Sequence, residues 1–597
     1  MIKTDNAARI DSQPEQPPNH HGPAPGGRLQ SSLARFRRTW GTAEWIQAAA
    51  LLAMLISLAV LIILPLIAIF KQAFLTVDGS YAGLAYFRAY LESPALLQSL
   101  QNTVFVSFMT TVIAVPLAFL LAYALARTDI RGKSLYKAAA LLPLFAPTMM
   151  HGIGLTYLFG HQGLISTGFF GWLPFEMRIP LYGPVGIIIS EVIYTFPQAF
   201  LILSAALSIS DYRLYEAAET LGASKWKKLF TVTLPSVKYA LMSAIIVCAT
   251  LSFTDFGAPK VVGGQFNVLA TDIFKQVVGQ QNMALGAVVS IVLTLPAVVA
   301  FIIDRVVTRR QQAYVTSRST PYIVRPHRTR NVMAHTYAGM IALAMLVLLA
   351  AVVTASLVKV WPYQMTLSWD NYKFTDSAAG GFAPFWNSLR MAALTAVIGT
   401  LVTFIFAYLI EHIRILPFLR QTGYFLSIVP LALPGLVIGL AYIFFFNDPG
   451  NPLNVIYGTM SILVLANIAH FYSVPFMTAT TSLKMMDKEF ENVSLSMNVS
   501  RIRSFMRITL PLSLPAIMEM AIYFFINAMV TVSAVIFLYG ADLKPASIAI
   551  VSMDDAGDTA QAAAMSVLII FTNLIVRLLY EAYSARIRRK TAAWRER

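Results

Sequence analysis

Twelve apolar runs of about 20 residues, each long enough to cross roughly 30 Å of hydrocarbon, are separated by short polar segments. They centre near residues 58, 114, 148, 195, 246, 294, 347, 398, 434, 470, 526 and 572. None alternates apolar and polar positions with a period of two, so the pattern predicts helices and not the strands of a membrane barrel. The expected fold class is an all-α membrane protein with twelve transmembrane helices.

The pattern also repeats. Asn102 and Tyr123 bracket one run, and Asn387 and Tyr408 bracket another at the same separation, offset by 285. PLFAP at 143–147 matches PLALP at 430–434, GLTYLF at 154–159 matches GLAYIF at 439–444, YTFP at 194–197 matches YSVP at 472–475, and TLP recurs at 233–235 and 509–511. From there the offset holds at 276, aligning ATDIF at 270–274 with ASIAI at 546–550. Ordered matches across the chain predict two six-helix units in parallel orientation. The expected layout is a polar tail over 1–44, a first unit over 45–307, a linker over 308–335, a second unit over 336–585 and a basic tail over 586–597. Pro143, Pro147, Pro430 and Pro434 predict a bend in the third helix of each unit.

Charge then orients the chain. With the N-terminus placed in the cytoplasm, roughly four-fifths of the Lys and Arg residues fall in cytoplasmic segments, which predicts both termini inside. The net charge of +16 is therefore a topology signal, and no nucleic-acid partner is expected. Only 12% of residues are charged and 57% are hydrophobic, far from a soluble chain. Cys248 is the single cysteine, which excludes a disulfide within the chain and a cysteine-based metal site.

In each unit the longest charged loop lies between the fourth and fifth helices: SDYRLYEAAETLGASKWKKLFTVTLP at 210–235 and MDKEFENVSLSMNVSRIRSFMRITLP at 486–511. Asp211 and Asp487 stand where a helix N-cap is expected. Leu214, Ala217, Ala218 and Leu221 form one apolar stripe, and Phe490, Val493, Ser494 and Met497 take the same slots in the second copy. Gly222 and Asn498 follow, residue types suited to the left-handed turn that ends a helix. A second helix with Lys225, Lys227 and Lys228, or Arg501, Arg503 and Arg507, then leads to Leu234-Pro235 or Leu510-Pro511, where proline suits the first turn of the next span. A helix–turn–helix with a short apolar face suits docking to a partner. The competing reading is an interfacial helix lying on lipid headgroups.

Glu216, Ala217 and Ala218, with Gly222 six residues after the Glu and then Leu234-Pro235, resemble the signature loop of ABC importer permeases. The second copy is degenerate, with Asn492, Val493 and Ser494 in place of Glu-Ala-Ala and Asn498 in place of Gly, while Leu510 and Pro511 remain. Outside residues 1–44 the chain is similar to a fused pair of type I, MetI-like permeases. The resemblance implies coupling helices at both loops, seated on two separate ABC ATPase subunits in the cytoplasm. It implies a periplasmic solute-binding protein as a further partner, a bacterial inner-membrane location, and no enzyme activity or cofactor on this chain, ATP and magnesium being held by the ATPases. The segment SMDDAGDTAQAAAMSVLI at 552–569 resembles 2-aminoethylphosphonate permeases, with ferric iron permeases as the alternative.

No GxxxxGK[ST] loop is present, so the chain carries no phosphate cradle of that kind. His151, Glu191, Asp255, Arg390 and His470 fall within or at the ends of apolar runs, where charge is costly. Glu191 and Asp255 are candidate pore-lining residues, against the alternative that such groups cap or snorkel. Asp554, Asp555 and Asp558 are expected in a solvated external loop. A gradient-driven twelve-helix transporter is the competing class, and ARTDIRGK at 126–133 faintly resembles its short loop motif. That class has no need of two long structured loops.

Overall fold

The computed structural model describes residues 42–595 apart from 77–78, 172–173, 175, 315–321, 325, 413–416, 487–488 and 498. Residues 1–41 of the expected tail over 1–44, Asp487 and Asn498 lie outside the described residues, and of Phe490, Asn492, Arg501 and Ile502 only the backbone is described.

Among the described residues, eight helices are long and apolar enough to cross a membrane: Trp45–Gln72, Pro94–Arg127, Pro184–Ser208, Lys225–Thr254, Met283–Val307, Arg328–Leu357, Ala383–His412 and Thr559–Arg586. The other four expected spans are bent pairs, so twelve holds only if each pair counts as one crossing. The third-helix prolines cause more than the expected kink. Helix Lys133–Leu141 tightens into a 3-10 turn at Leu142–Phe145, Pro147 drives Ala146 into extended backbone, and helix Thr148–Phe159 leaves at 106°. Pro434 does the same to Leu433 in the second unit, where the bend is 113°. The all-α class holds, with one small ribbon added: Val358–Val360 pairs antiparallel with Gln364–Leu367 in the connection after the second unit's first helix.

Pro235 stands in the first turn of the α-helix Leu234–Thr254, as its sequence position implied, but the chain ahead of it is already helical. A proline inside a helix has no N–H for the carbonyl four residues back and its ring crowds that carbonyl. The backbone answers with a wider π turn over Leu229–Thr233, in which the Leu234 N–H reaches the Leu229 carbonyl, and one helix runs from Lys225 to Thr254. The same device precedes Pro511, at Phe505–Thr509, and Pro65, at Ala59–Ile63.

Duplication is visible in bonds as well as in sequence. Asn102 Nδ2 donates to the Asn267 carbonyl at 2.9 Å, and Asn387 Nδ2 donates to the Asp542 carbonyl at 2.9 Å. One residue on, Thr103 Oγ1 accepts from the Leu269 N–H at 2.9 Å and Ser388 Oγ accepts from the Ala546 N–H at 2.8 Å. In each unit the second, fourth and fifth helices pack on one another. The first helices cross over: helix Leu64–Gln72 packs on helix Gly435–Phe446, and helix Arg328–Leu357 packs on helix Thr148–Phe159. The Tyr442 hydroxyl donates to the Leu61 carbonyl at 2.9 Å, and Gly154 sits so close to Leu348 that a Cβ there would lie 2.8 Å from it. Each half is thus clasped by the first helix of the other. Large apolar side chains such as Phe105, Phe108, Val299 and Leu343 stay exposed on these helices, as a hydrocarbon solvent requires.

Candidate functional site: the two charged elbows

The first elbow begins at Asp211, whose Oδ1 accepts the Arg213 N–H at 3.1 Å and so satisfies one free donor at the start of helix Arg213–Thr220. The helix starts one residue later than an Asp211 cap implied, with Tyr212 in the cap position. It ends on Gly222 at φ +68°, where the Ala223 N–H reaches the Ala218 carbonyl at 2.9 Å and the Gly222 N–H reaches Glu219 at 2.9 Å. Ser224 then caps the short helix Lys225–Lys228 through the Lys227 N–H. An ion pair between Glu219 and Lys228, at 2.9 Å, joins the two arms.

The apolar stripe points away from the chain. Leu221 is 84% exposed, Leu214 and Ala217 are exposed, and only Ala218 is half-buried. Glu216 is exposed beside them, Leu234 is half-buried and Pro235 is exposed. The buried face is the one carrying Tyr212 and Tyr215.

That buried face rests on a residue the sequence reading passed over. Arg127 ends helix Pro94–Arg127 and is only 2% exposed. Its guanidinium donates to Ser210 Oγ and, at 3.4 Å, to the Tyr215 hydroxyl, which in turn donates to Thr233 Oγ1 at 3.0 Å. The ring of Tyr322 lies 4.0 Å from the guanidinium carbon and packs edge-on against both Tyr212 and Tyr215. Burial raises the pKa of the Tyr322 hydroxyl, with the Arg127 charge opposing. Tyr322 belongs to the linker, so the end of the second helix, the base of the elbow and the joint between units meet on one caged cation. A desolvated cation–π contact of this kind is worth about 2 kcal/mol or more.

The second elbow repeats the turn with different fittings. Helix Glu489–Ser496 is followed by Val499 N–H bonding the Ser494 carbonyl at 2.9 Å, the counterpart of the Ala223 bond. Ser494 is buried and its hydroxyl accepts from Ser504 at 3.1 Å, where the first elbow uses the Glu219–Lys228 pair. Val493 and Met497 are exposed, Met497 at 71%. Leu510 is half-buried and Pro511 exposed. His412 takes the place of Arg127 by the 285 offset, stacked at 4.2 Å on Tyr408, which packs against Phe505. A cavity of about 570 Å³ lies nearby, beside Glu411, Arg420 and Lys484, and another of about 560 Å³ lies in the elbow itself, between Val493, Met497 and Arg503.

The remaining ionisable residues divide. Arg390 is exposed near the start of helix Ala383–His412. Glu191 is fully buried, its carboxyl group beside Asp255, Ser252 and Tyr194. Asp255 Oδ2 accepts the Ala258 N–H at 2.9 Å and its carboxyl adjoins Thr148. His151 is buried with its ring 6.5 Å from that of Tyr194, and His470 lies against Gly435.

The three aspartates near the C-terminal helix are not a free solvated loop. Asp555 pairs with Lys260 of the first unit at 2.8 Å, and Asp558 Oδ2 accepts the Ala378 N–H at 3.1 Å. Burial first, then the Asp555 charge, push the Asp554 carboxyl up to about 6, with Lys260 opposing. The folded chain therefore holds that proton more tightly than the unfolded chain, whose value is near 3.8. The resulting stability is fully present below that value and is lost as pH rises through about 6. Asp554→Asn is expected to flatten the unfolding midpoint across that window. A profile unchanged from wild type would clear Asp554 of the effect.

Comparison with known proteins places this geometry. Residues 114–313 and 413–589 both match the family of binding-protein-dependent transport system inner membrane components. The ferric transport system permease protein FbpB of Actinobacillus pleuropneumoniae is 27% identical over 542 residues, 89% of this chain and 77% of the relative. The Fe(3+)-transport system permease protein FbpB 2 of Haemophilus influenzae is 24% identical over 538 residues, 87% of this chain and 97% of its own. A relative named for 2-aminoethylphosphonate transport, from Salmonella typhi, is 27% identical but aligns over only 251 residues, 41% of this chain. The resemblance order read from 552–569, with 2-aminoethylphosphonate permeases first, is not supported: the relatives that align along both units are named for ferric transport. Two exposed elbows on duplicated six-helix units, each inside a matched segment, make this chain a member of the binding-protein-dependent transport system inner membrane component family, a fused ABC importer permease.

Proposed function

We propose that the chain forms the translocation path of an importer for ferric iron, delivered by a periplasmic binding protein and driven by two ATPase subunits that grip the elbows from the cytoplasm. In this reading both termini are cytoplasmic, as the Lys and Arg distribution requires. The carrying observation is the pair of matched elbows, on which Leu214, Ala217 and Leu221 in the first and Val493 and Met497 in the second are exposed. ATP binding would draw the ATPases together and swing the two clasped units, an exchange between two global states.

The choice of ferric iron over a phosphonate draws support from the relatives that span both units and from the buried acids. Glu191 and Asp255, with Tyr194 and Thr148, offer hard oxygen atoms to a hard cation. A phosphonate group, anionic at neutral pH, would gain less from two carboxyl groups than a cation would. In this proposal the two acids line the path in its open state.

The test is uptake by vesicles containing the full chain, its ATPases and its binding protein, supplied in parallel with ferric citrate and with 2-aminoethylphosphonate. ATP-dependent uptake of iron is expected. Glu191→Gln should reduce it about tenfold, equivalent to about 1.4 kcal/mol of lost stabilisation. Uptake of the phosphonate and not iron would overturn the substrate, and wild-type iron uptake in the variant would remove Glu191 from the path.

A further inference from the structure

The cavity of about 570 Å³ lies among four helices, three of them at their ends. Arg305 lies in the last third of helix Met283–Tyr314, Glu411 is next to the end of Ala383–His412, Arg420 is near the start of Pro417–Ala432, and Lys484 ends Ser473–Lys484. Lys484 also directly precedes the second elbow, so the cavity opens on the face of the membrane that carries the elbows.

Its chemistry is two-sided. One end gathers three cations and one carboxylate. Arg305 donates to the Tyr424 hydroxyl at 2.9 Å, and Arg305 and Lys484 approach the same Tyr424 ring at 5.7 and 5.6 Å. Glu411 lies 3.3 Å from Lys484 and neutralises one charge, leaving an excess of two. Tyr424 thus holds two like charges near each other, an arrangement that an anion between them would relieve. The other end is apolar, walled by Phe301, Ile302 and Phe425, of which Ile302 and Phe425 are more than half exposed on helix faces turned to hydrocarbon.

We infer that this cavity binds an anionic phospholipid, its phosphate against Arg305, Arg420 and Lys484 and its acyl chains along Ile302 and Phe425. A free inorganic anion would use the charges and leave the apolar wall unexplained, whereas a zwitterionic lipid would gain little from an excess of positive charge. Basic pockets between helix ends at headgroup depth are suited to this class of ligand, each cation adding about 1 kcal/mol. The lipid would brace the end of helix Ser473–Lys484 where the chain enters the second elbow, the elbow that lacks an arginine cage.

The experiment is native mass spectrometry of the full chain released from nanodiscs of phosphatidylcholine with added phosphatidylglycerol or cardiolipin. Wild type is expected to retain one anionic lipid in preference to phosphatidylcholine, and inorganic phosphate should not displace it. Arg420→Gln/Lys484→Gln should weaken retention about thirtyfold. Arg420→Gln alone, which leaves the Glu411–Lys484 pair in place, should weaken it about fivefold and guards against misfolding of the double variant. Equal retention of phosphatidylcholine, displacement by phosphate, or undiminished retention by both variants would overturn the assignment. None of these readouts depends on which solute the chain transports.

Discussion

Replacing Gly222 with valine is expected to cut ATP-driven transport at least tenfold while the membrane helices stay folded. Gly222 holds φ at +68°, and a Cβ built there would meet nothing within 4 Å. The penalty is therefore one of backbone conformation and not of crowding. A left-handed L-residue costs roughly 1–2 kcal/mol, and a β-branched one more. If the elbow yields to that strain, the Ala223–Ala218 and Gly222–Glu219 bonds open and Leu221 leaves the stripe it shares with Leu214. A difference of 1.4 kcal/mol between seated and unseated elbows is already tenfold. Gly222→Asn, which tolerates the same conformation best among side-chain-bearing residues, should lose far less. Transport and ATPase rates in reconstituted vesicles distinguish the two. Equal rates for valine, asparagine and wild type would mean that the turn does not matter to coupling.

Arg127→Leu is expected to be as severe by a different route. It removes a buried cation from beneath the elbow, abandons the Ser210 and Tyr215 hydroxyls, and frees Tyr322. The lost cation–π contact and charged hydrogen bonds are each worth about 2 kcal/mol in a desolvated setting. Arg127→Lys keeps the charge but not the flat face against Tyr322 or the forked donors, so it should recover only part of the function. Limited proteolysis provides the readout specific to a cage: cleavage within 210–235 and within the linker should rise together in Arg127→Leu. Unaltered cleavage with full transport would show that the cage is ornamental. Arg390→Gln, which alters an exposed arginine, is the matched control.

The two sites differ in how far the sequence discloses them. Span positions, the duplication and both elbows follow from local pattern, because a membrane helix and a short amphipathic helix are written within about 20 consecutive residues. Gly222 was legible for the same reason: one residue type fits one backbone conformation. Arg127 was not, since its partners Ser210, Tyr215 and Tyr322 lie 83 to 195 positions away and share no motif with ARTDIRGK. The run SDYRLY, with two tyrosines three apart beside an apolar stripe, was the available hint of a second, buried face. Proline positions announced bends but not their size, because the same residue gives a π turn before Leu234 and a right-angled break after Phe145 according to what packs beside it. The crossing of the first helices is likewise invisible locally, being a choice between two equivalent partners that only packing decides.

Cys248 is buried, so a cysteine placed on each elbow can be read without removing the native one. Leu221→Cys and Met497→Cys, in separate chains assembled with their ATPases and binding protein, should each crosslink to an ATPase subunit through a short bifunctional reagent. Both should become protected from a membrane-impermeant thiol reagent added from the ATPase side once the complex forms. Crosslinking to lipid alone, or labelling of either cysteine from the opposite side of the membrane, would contradict the account.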